Sequence, residues 1–279
     1  AAPCVSMQEW FAAEVPGCVH TALLAAGRIE DPFFRDNEDR LQWITGAGWV
    51  YRRDFDVPAA TLGRERVVLC CEGLDTLATV VLNGRELGCA DNMFRAWEFD
   101  VKGLLGERGN RLELRFDSPL PYLAERERVR HLPDWHGPGE VDGRAWLRKE
   151  PCSFGWDWGP RLASCGPWKS VAVLAWDSAR ITDVLVRQDH SRTGGVGLAL
   201  TVALERVDPA SPPDPALEVE VTVRREGRPT VRAAAPVAAD GRAIVDLRIA
   251  DPELWWPNGL GGQPLYELDA RLRAAHEGG

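Results

Sequence analysis

Residues 154–160 read Phe-Gly-Trp-Asp-Trp-Gly-Pro. The chemistry open to such a run is the holding of a sugar ring. A pyranose presents C–H patches on one face and hydroxyls around its rim. An indole covers the patch, and a carboxylate accepts from two neighbouring hydroxyls in charge-assisted hydrogen bonds stronger than neutral ones. Trp156 and Asp157 supply both contacts from one segment, and Gly155 with Gly159-Pro160 suits a tight, preorganised turn. The alternative is structural, with Trp156 and Trp158 as core or interface anchors and Asp157 as a turn cap. Extended chain alternates its side chains, so both indoles fall on the side opposite Asp157. Trp158 is therefore expected to be an anchor. A joint contact by Trp156 and Asp157 needs a kink, which the glycines permit.

Other reactive side chains are less suggestive. Asp134, Glu140 and Asp142 share one irregular insertion and read as solvated loop charges. His131 and His136 could approach a metal, but no third ligand stands at useful spacing, so no metal site is expected. No GxGxxG follows a strand, and neither a P-loop nor a G-x-S-x-G is present, so no cofactor is expected. The seven cysteines are odd in number and form no C-x-x-C pair, which argues against a zinc site or a disulfide framework. Reduced thiols point to a cytoplasmic protein, with at least one of Cys70 and Cys71 in the core. No signal peptide is visible, although an exported precursor that has lost its signal would begin in the same way. Trp43 and Trp49 read as core. Arg52 and Arg53 read as one inward-paired and one solvated charge. Trp255 and Trp256 are expected to pack a loop between domains rather than to form a binding platform, because Pro257 and Gly259 stiffen it.

The elements that must position these residues are strands. With 279 residues, 45% hydrophobic and 27% charged, the chain has ordinary globular composition and room for two domains. Its net charge of -9 argues against nucleic acid as partner. No apolar run approaches the ~20 residues that span a bilayer, so no membrane partner is expected. Twelve tryptophans against three tyrosines is an excess that asks for a special use of some of them. A short helix is predicted near the N-terminus, with Val19, Leu23 and Leu24 on one face and Gly27 as its stop. Strands follow: Trp49 to Val57, the Arg64 to Gly73 run, and a hairpin of Ala78–Leu82 and Arg85–Leu87 about Asn83-Gly84. Two more lie in 96–101 and 111–119. Residues 120–133 read as a helix and 133–143 as irregular, and a strand runs to Trp176. From Ser178 onward period-two alternation recurs at 181–188, 197–207, 216–225 and 242–249, with a Pro-rich loop at 208–216.

Several stretches in this order, "VPGCVHTALLAAGRIEDPF", "WVYRRDFDV", "GLDTLATVVLNGRELG", "RKEPCSFGWDWGPRL" and "LWWPNGLGGQPLYEL", resemble the N-terminal part of a β-mannosidase of glycoside hydrolase family 2. The resemblance covers nearly the whole chain. Its "GLDTLATVVLNG" and "WWPNG" are shared widely in the family, including β-galactosidases and β-glucuronidases, and "RK" followed by "GWDWGP" points to β-mannosidases. It implies an all-β fold: a jelly-roll, galactose-binding-like sandwich over 1–177, then an immunoglobulin-like sandwich over 178–279 expected to lack its last strand. Short helices would lie near the N-terminus and in the 120–133 insertion.

The resemblance further implies that the two carboxyls of retaining hydrolysis, about 5–5.5 Å apart, belong to a (β/α)8 barrel that the sequence does not reach. No catalytic residue is expected in this chain. Trp156 and Asp157 would contact the terminal sugar of a β-mannoside, with Arg148, Lys149 and Trp158 in support. The chain's partner would be the barrel of its own full-length polypeptide. The alternatives are a free-standing carbohydrate-binding module, the accessory domains of a β-galactosidase or β-glucuronidase, and a structural spacer.

Overall fold

The computed structural model describes residues 9–133, 141–191, 193–208, 217–227 and 230–274. The chain divides into two units, Ala1–Ala175 and Trp176–Gly279. Each has its own apolar core.

The first unit opens with helix α1 (Val19–Ala25), which buries Val19, His20, Ala22 and Leu23. Leu24, expected on the same face, is exposed, because the buried stripe turns toward His20 instead. Gly27 stops the helix at φ 65°. Two further turns of helix, α2 (Asn37–Arg40) and α3 (Trp43–Gly46), lead into β1 (Trp49–Phe55). After α4 (Ala59–Leu62) come β2 (Arg66–Cys71), β3 (Leu74–Asp75), β4 (Ala78–Leu82), β5 (Arg85–Ala90), β6 (Trp97–Asp100) and β7 (Asn110–Phe116). Helix α5 (Pro119–Val129) is capped by the Ser118 hydroxyl, and short strands β8 (Gly166–Pro167) and β9 (Val171–Trp176) finish the set.

Strands β1-β7-β4-β5 form one sheet, β6-β2-β9 another, and β3-β8 a two-stranded ladder. Alternation explains the sandwich: Val67, Leu69 and Cys71 of β2 meet Val80 and Leu82 of β4 and Leu112, Leu114 and Phe116 of β7 in one core. Cys70 and Cys71 are both buried, and the six described cysteines form no disulfide with one another, Cys4 lying outside the described residues. The predicted hairpin is present, with Asn83 and Gly84 at φ 51° and 81°. Trp43 and Trp49 are only half-buried, their rings 5.9 Å apart against the α1 cluster. Arg52 and Arg53 correct an expectation, since both are exposed. The Arg52 guanidinium stacks over Trp10 at 4.0 Å rather than pairing inward.

The second unit holds β10 (Ala179–Asp189), β11 (Gly195–Arg206), β12 (Leu217–Arg224), β13 (Val231–Pro236), β14 (Arg242–Ala250) and β15 (Glu267–Ala274). The sheets are β10-β11-β14 and β13-β12-β15, with antiparallel pairing throughout. Their inner positions, among them Leu200, Val202, Val219, Val221 and Val245, close the core. Most of the predicted 208–216 loop lies outside the described residues.

Candidate functional site

The Trp-Asp-Trp run is the tip of a loop. One turn of 3-10 helix, Pro151–Phe154, carries Phe154 into a small core with Leu123, Leu147 and Ala163. Gly155 then takes φ 118°, a conformation side chains rarely adopt, and provides the predicted kink. Trp156 and Gly159 form an isolated bridge, with Gly159 N–H donating to the Trp156 carbonyl at 3.4 Å. Asp157 and Trp158 therefore occupy the turn itself. All three side chains of the run are exposed.

The two indoles face each other, ring centroids 5.0 Å apart and planes inclined at 49°, as alternation predicts. Trp156 is 42% exposed and Trp158 78%. Trp158 is thus no core anchor within its unit, because Phe154 already fills the hydrophobic place beneath the loop. One hollow of about 610 Å³ lies beside Asn83, Arg111 and Arg115, and another of about 250 Å³ lies at the loop's base, beside Gln42, Leu120, Phe154 and Arg161. Neither is lined by Trp156, Asp157 or Trp158.

The loop's feet are well held. Arg144, buried, donates from Nη1 to the Gly155 carbonyl at 3.4 Å. Arg161 donates from Nε to Gln42 Oε1 at 3.0 Å and from its backbone N–H to Glu38 Oε2 at 3.1 Å. Its carbonyl accepts from Gln42 Nε2 at 2.7 Å. Arg148 and Lys149 part company. Arg148 is exposed, and its backbone bridges Asn92 while its carbonyl accepts from Met93 N–H at 3.0 Å. Lys149 is buried and ion-paired with Asp75, and its Nζ donates to Ser164 O at 3.0 Å and Ser164 Oγ at 3.2 Å.

His20 lies near this pair, buried, with no described partner for Nδ1. Burial, reinforced by the Lys149 charge, lowers its pKa to about 4, so it is neutral at pH 7. Burial also raises the Tyr51 hydroxyl and the Cys165 thiol well above their ordinary values, and the Cys71 thiol to about 12. None of these three is a ready nucleophile.

The remaining candidates are not gathered here. His131 is exposed and contacts Glu127 one helical turn back, and Asp142 is exposed. Asp134, His136 and Glu140 lie outside the described residues. No three His, Cys, Asp or Glu side chains cluster at metal-binding spacing among the described residues. Trp255 and Trp256 are half-exposed in the second unit, where Trp256 N–H donates to Gly262 O at 2.9 Å. Sequence reasoning missed Asp75, Ser164, Arg144 and Arg161. Asp75 sits in the quoted "GLDTLATVVLNG", but its partner is 74 residues away, so no local spacing marks it.

Fold and site define a tandem of two β-sandwiches, the first bearing an anchored aromatic-carboxylate loop. Residues 4–169 match the glycosyl hydrolase 2 galactose-binding domain-like model, and residues 179–278 match the model of glycosyl hydrolases family 2. The chain belongs to glycosyl hydrolase family 2. Beta-mannosidase B of Thermothelomyces thermophilus is 35% identical over 272 residues, covering 95% of this chain and 30% of the relative. Beta-mannosidase of Rattus norvegicus is 33% identical over 279 residues, 94% of this chain and 31% of the relative. The crystal structure of a beta-D-mannosidase from Dictyoglomus thermophilum superposes with a TM-score of 0.81 at 38% identity, over 96% of this chain and 32% of that one. An exo-chitosanase from Amycolatopsis orientalis shares the fold, with a TM-score of 0.64 at 21% identity, over 98% of this chain and 29% of its own. The chain thus spans under a third of the length of these relatives.

Proposed function

We propose that this chain is the non-catalytic N-terminal part of a retaining β-mannosidase acting on terminal, non-reducing β-D-mannosides. Its role is to supply one wall of the terminal-sugar subsite, completed by a (β/α)8 barrel elsewhere in the polypeptide. The observation that carries this reading is the tip of the first unit's loop: an exposed indole, Trp156, followed by an exposed carboxylate, Asp157, on firmly held feet. The β-mannosidase names of relatives that align along nearly the whole chain support mannose as the sugar. In this reading Asp157 accepts from two sugar hydroxyls and Trp156 covers a C–H face. The barrel supplies the nucleophile and the acid/base.

The test is Asp157→Ala in the full-length polypeptide with an aryl β-mannoside. Hydrogen bonds to a charged group contribute about 1.5–3 kcal/mol each. Losing two lowers kcat/KM by about 100-fold or more. Undiminished turnover would leave the first unit as a spacer and end the proposal.

A further inference from the structure

We propose that Asp75, Lys149 and Ser164 form a positioning clasp that fixes the register of the loop carrying Trp156 and Asp157. Lys149 stands seven residues before Trp156, and Ser164 seven after Asp157. The Asp75 carboxylate takes hold of both. It is ion-paired with Lys149 Nζ and accepts from Ser164 Oγ at 2.8 Å, and its second oxygen accepts from the Thr76 hydroxyl. Lys149 Nζ spends its remaining donors on Ser164 O and Oγ, at 3.0 and 3.2 Å. The ammonium's three donors are thus all placed. Asp75 itself belongs to the ladder with β8, so the clasp ties the loop to a fixed strand pair.

The chemistry argues for positioning over stability. The Lys149 and Asp75 side chains are 1% and 3% exposed. A buried ion pair recovers its desolvation cost poorly, and an apolar pair of similar volume often serves stability as well. What it adds is direction, because any shift of one foot would strand a buried charge. Among the described residues, the backbone amides of 155–159 make two hydrogen bonds, Gly155 N–H to Cys152 O at 3.1 Å and Gly159 N–H to Trp156 O at 3.4 Å, and both stay within the loop, so its order has to come from below. His20 and Cys165, the titratable groups that feel the Lys149 charge, are both neutral at pH 7, so neither adds a charge to the clasp. The functional meaning of the clasp rests on the loop's being a sugar contact, but the ordering of the loop does not.

Hydrogen exchange of the 279-residue chain separates the two claims. The double variant Asp75→Asn/Lys149→Met removes both charges while keeping volume. Within residues 155–159, the hydrogen-bonded amides of Gly155 and Gly159 are expected to exchange at least ten-fold faster, with β2 and β4 amides unchanged. The full-length double variant should lose kcat/KM on an aryl β-mannoside in parallel. Wild-type exchange at 155–159 in a folded double variant overturns the clasp and leaves the sugar contact standing. Faster exchange at 155–159, together with full turnover of Asp157→Ala, upholds the clasp and removes the sugar contact. Should the double variant not fold, Ser164→Ala leaves the ion pair intact and carries the same test. Faster exchange confined to 155–159 supports the clasp, and none there refutes it.

Discussion

His20 shows how a single residue couples the first unit to pH. It is 7% exposed, and its pKa falls from 6.5 to about 4 through burial and, second, the Lys149 charge. The folded state therefore binds the proton less readily than the unfolded chain does. Above pH 6.5 both states are neutral and the group costs nothing. As pH falls from 6.5 to 4 the unfolded chain takes up a proton that the folded one refuses, and stability is lost up to about 3 kcal/mol. His20→Gln should flatten this part of the decline in urea unfolding between pH 7 and pH 4. Parallel curves for wild type and variant would show that His20 accommodates its proton in place. At this scale the sequence was informative only where chemistry is local. The Trp156-Asp157 pair could be singled out because its parts are adjacent and lie in the stretch that carries the family resemblance. The Asp75–Lys149–Ser164 cluster could not, since its members are brought together by β3 and β8 from positions 74 and 89 residues apart.

Elements built from neighbouring residues were similarly legible, and two glycines show what each demands. Gly84 closes the β4–β5 hairpin at φ 81°, and a Cβ there would meet nothing within 4 Å. Gly84→Ala should therefore cost only backbone strain, about 1 kcal/mol. Gly166 in β8 has φ 140°, and a Cβ would stand 2.8 Å from the Tyr51 hydroxyl, 3.1 Å from Gly17 O and 3.2 Å from Cys18 Cα. Strain and overpacking add there, so Gly166→Ala should cost about 3 kcal/mol or more. Equal melting temperatures for the two variants would contradict this ranking. The hairpin was predictable because Asn-Gly acts within four residues. The β3–β8 ladder and the packing of Gly166 on Tyr51 are long-range and leave no periodic trace. Strand β13, "VRAAAP", escaped for another reason: three alanines give no contrast between an inner and an outer face. Trp158 shows the limit of alternation, which gives the side of the chain on which a ring lies and not whether the core of its own unit reaches that far.

At the scale of the molecule, the division into two sandwiches follows from alternation that restarts near Ser178, whereas the completeness of a binding site is not a property of any strand. Ligand sites that hold a small molecule well cover about 70–90% of its surface. The Trp156-Asp157 tip projects, with Trp158 78% exposed beside it, and could cover a sugar on one side only. One indole contact and two hydrogen bonds, set against the lost freedom of the sugar, leave little net affinity. Calorimetry of the 279-residue chain with mannose or mannobiose should accordingly give a Kd weaker than about 1 mM, equivalent to less than about 4 kcal/mol. The same chain should not turn over an aryl β-mannoside. Micromolar binding of mannobiose would make the loop a sufficient site and the chain a free-standing carbohydrate-binding module. Turnover would require a carboxyl pair within these two sandwiches. Weak binding here, joined to a large loss on Asp157→Ala in the full-length polypeptide, is the combination expected of a wall whose opposite side is built elsewhere.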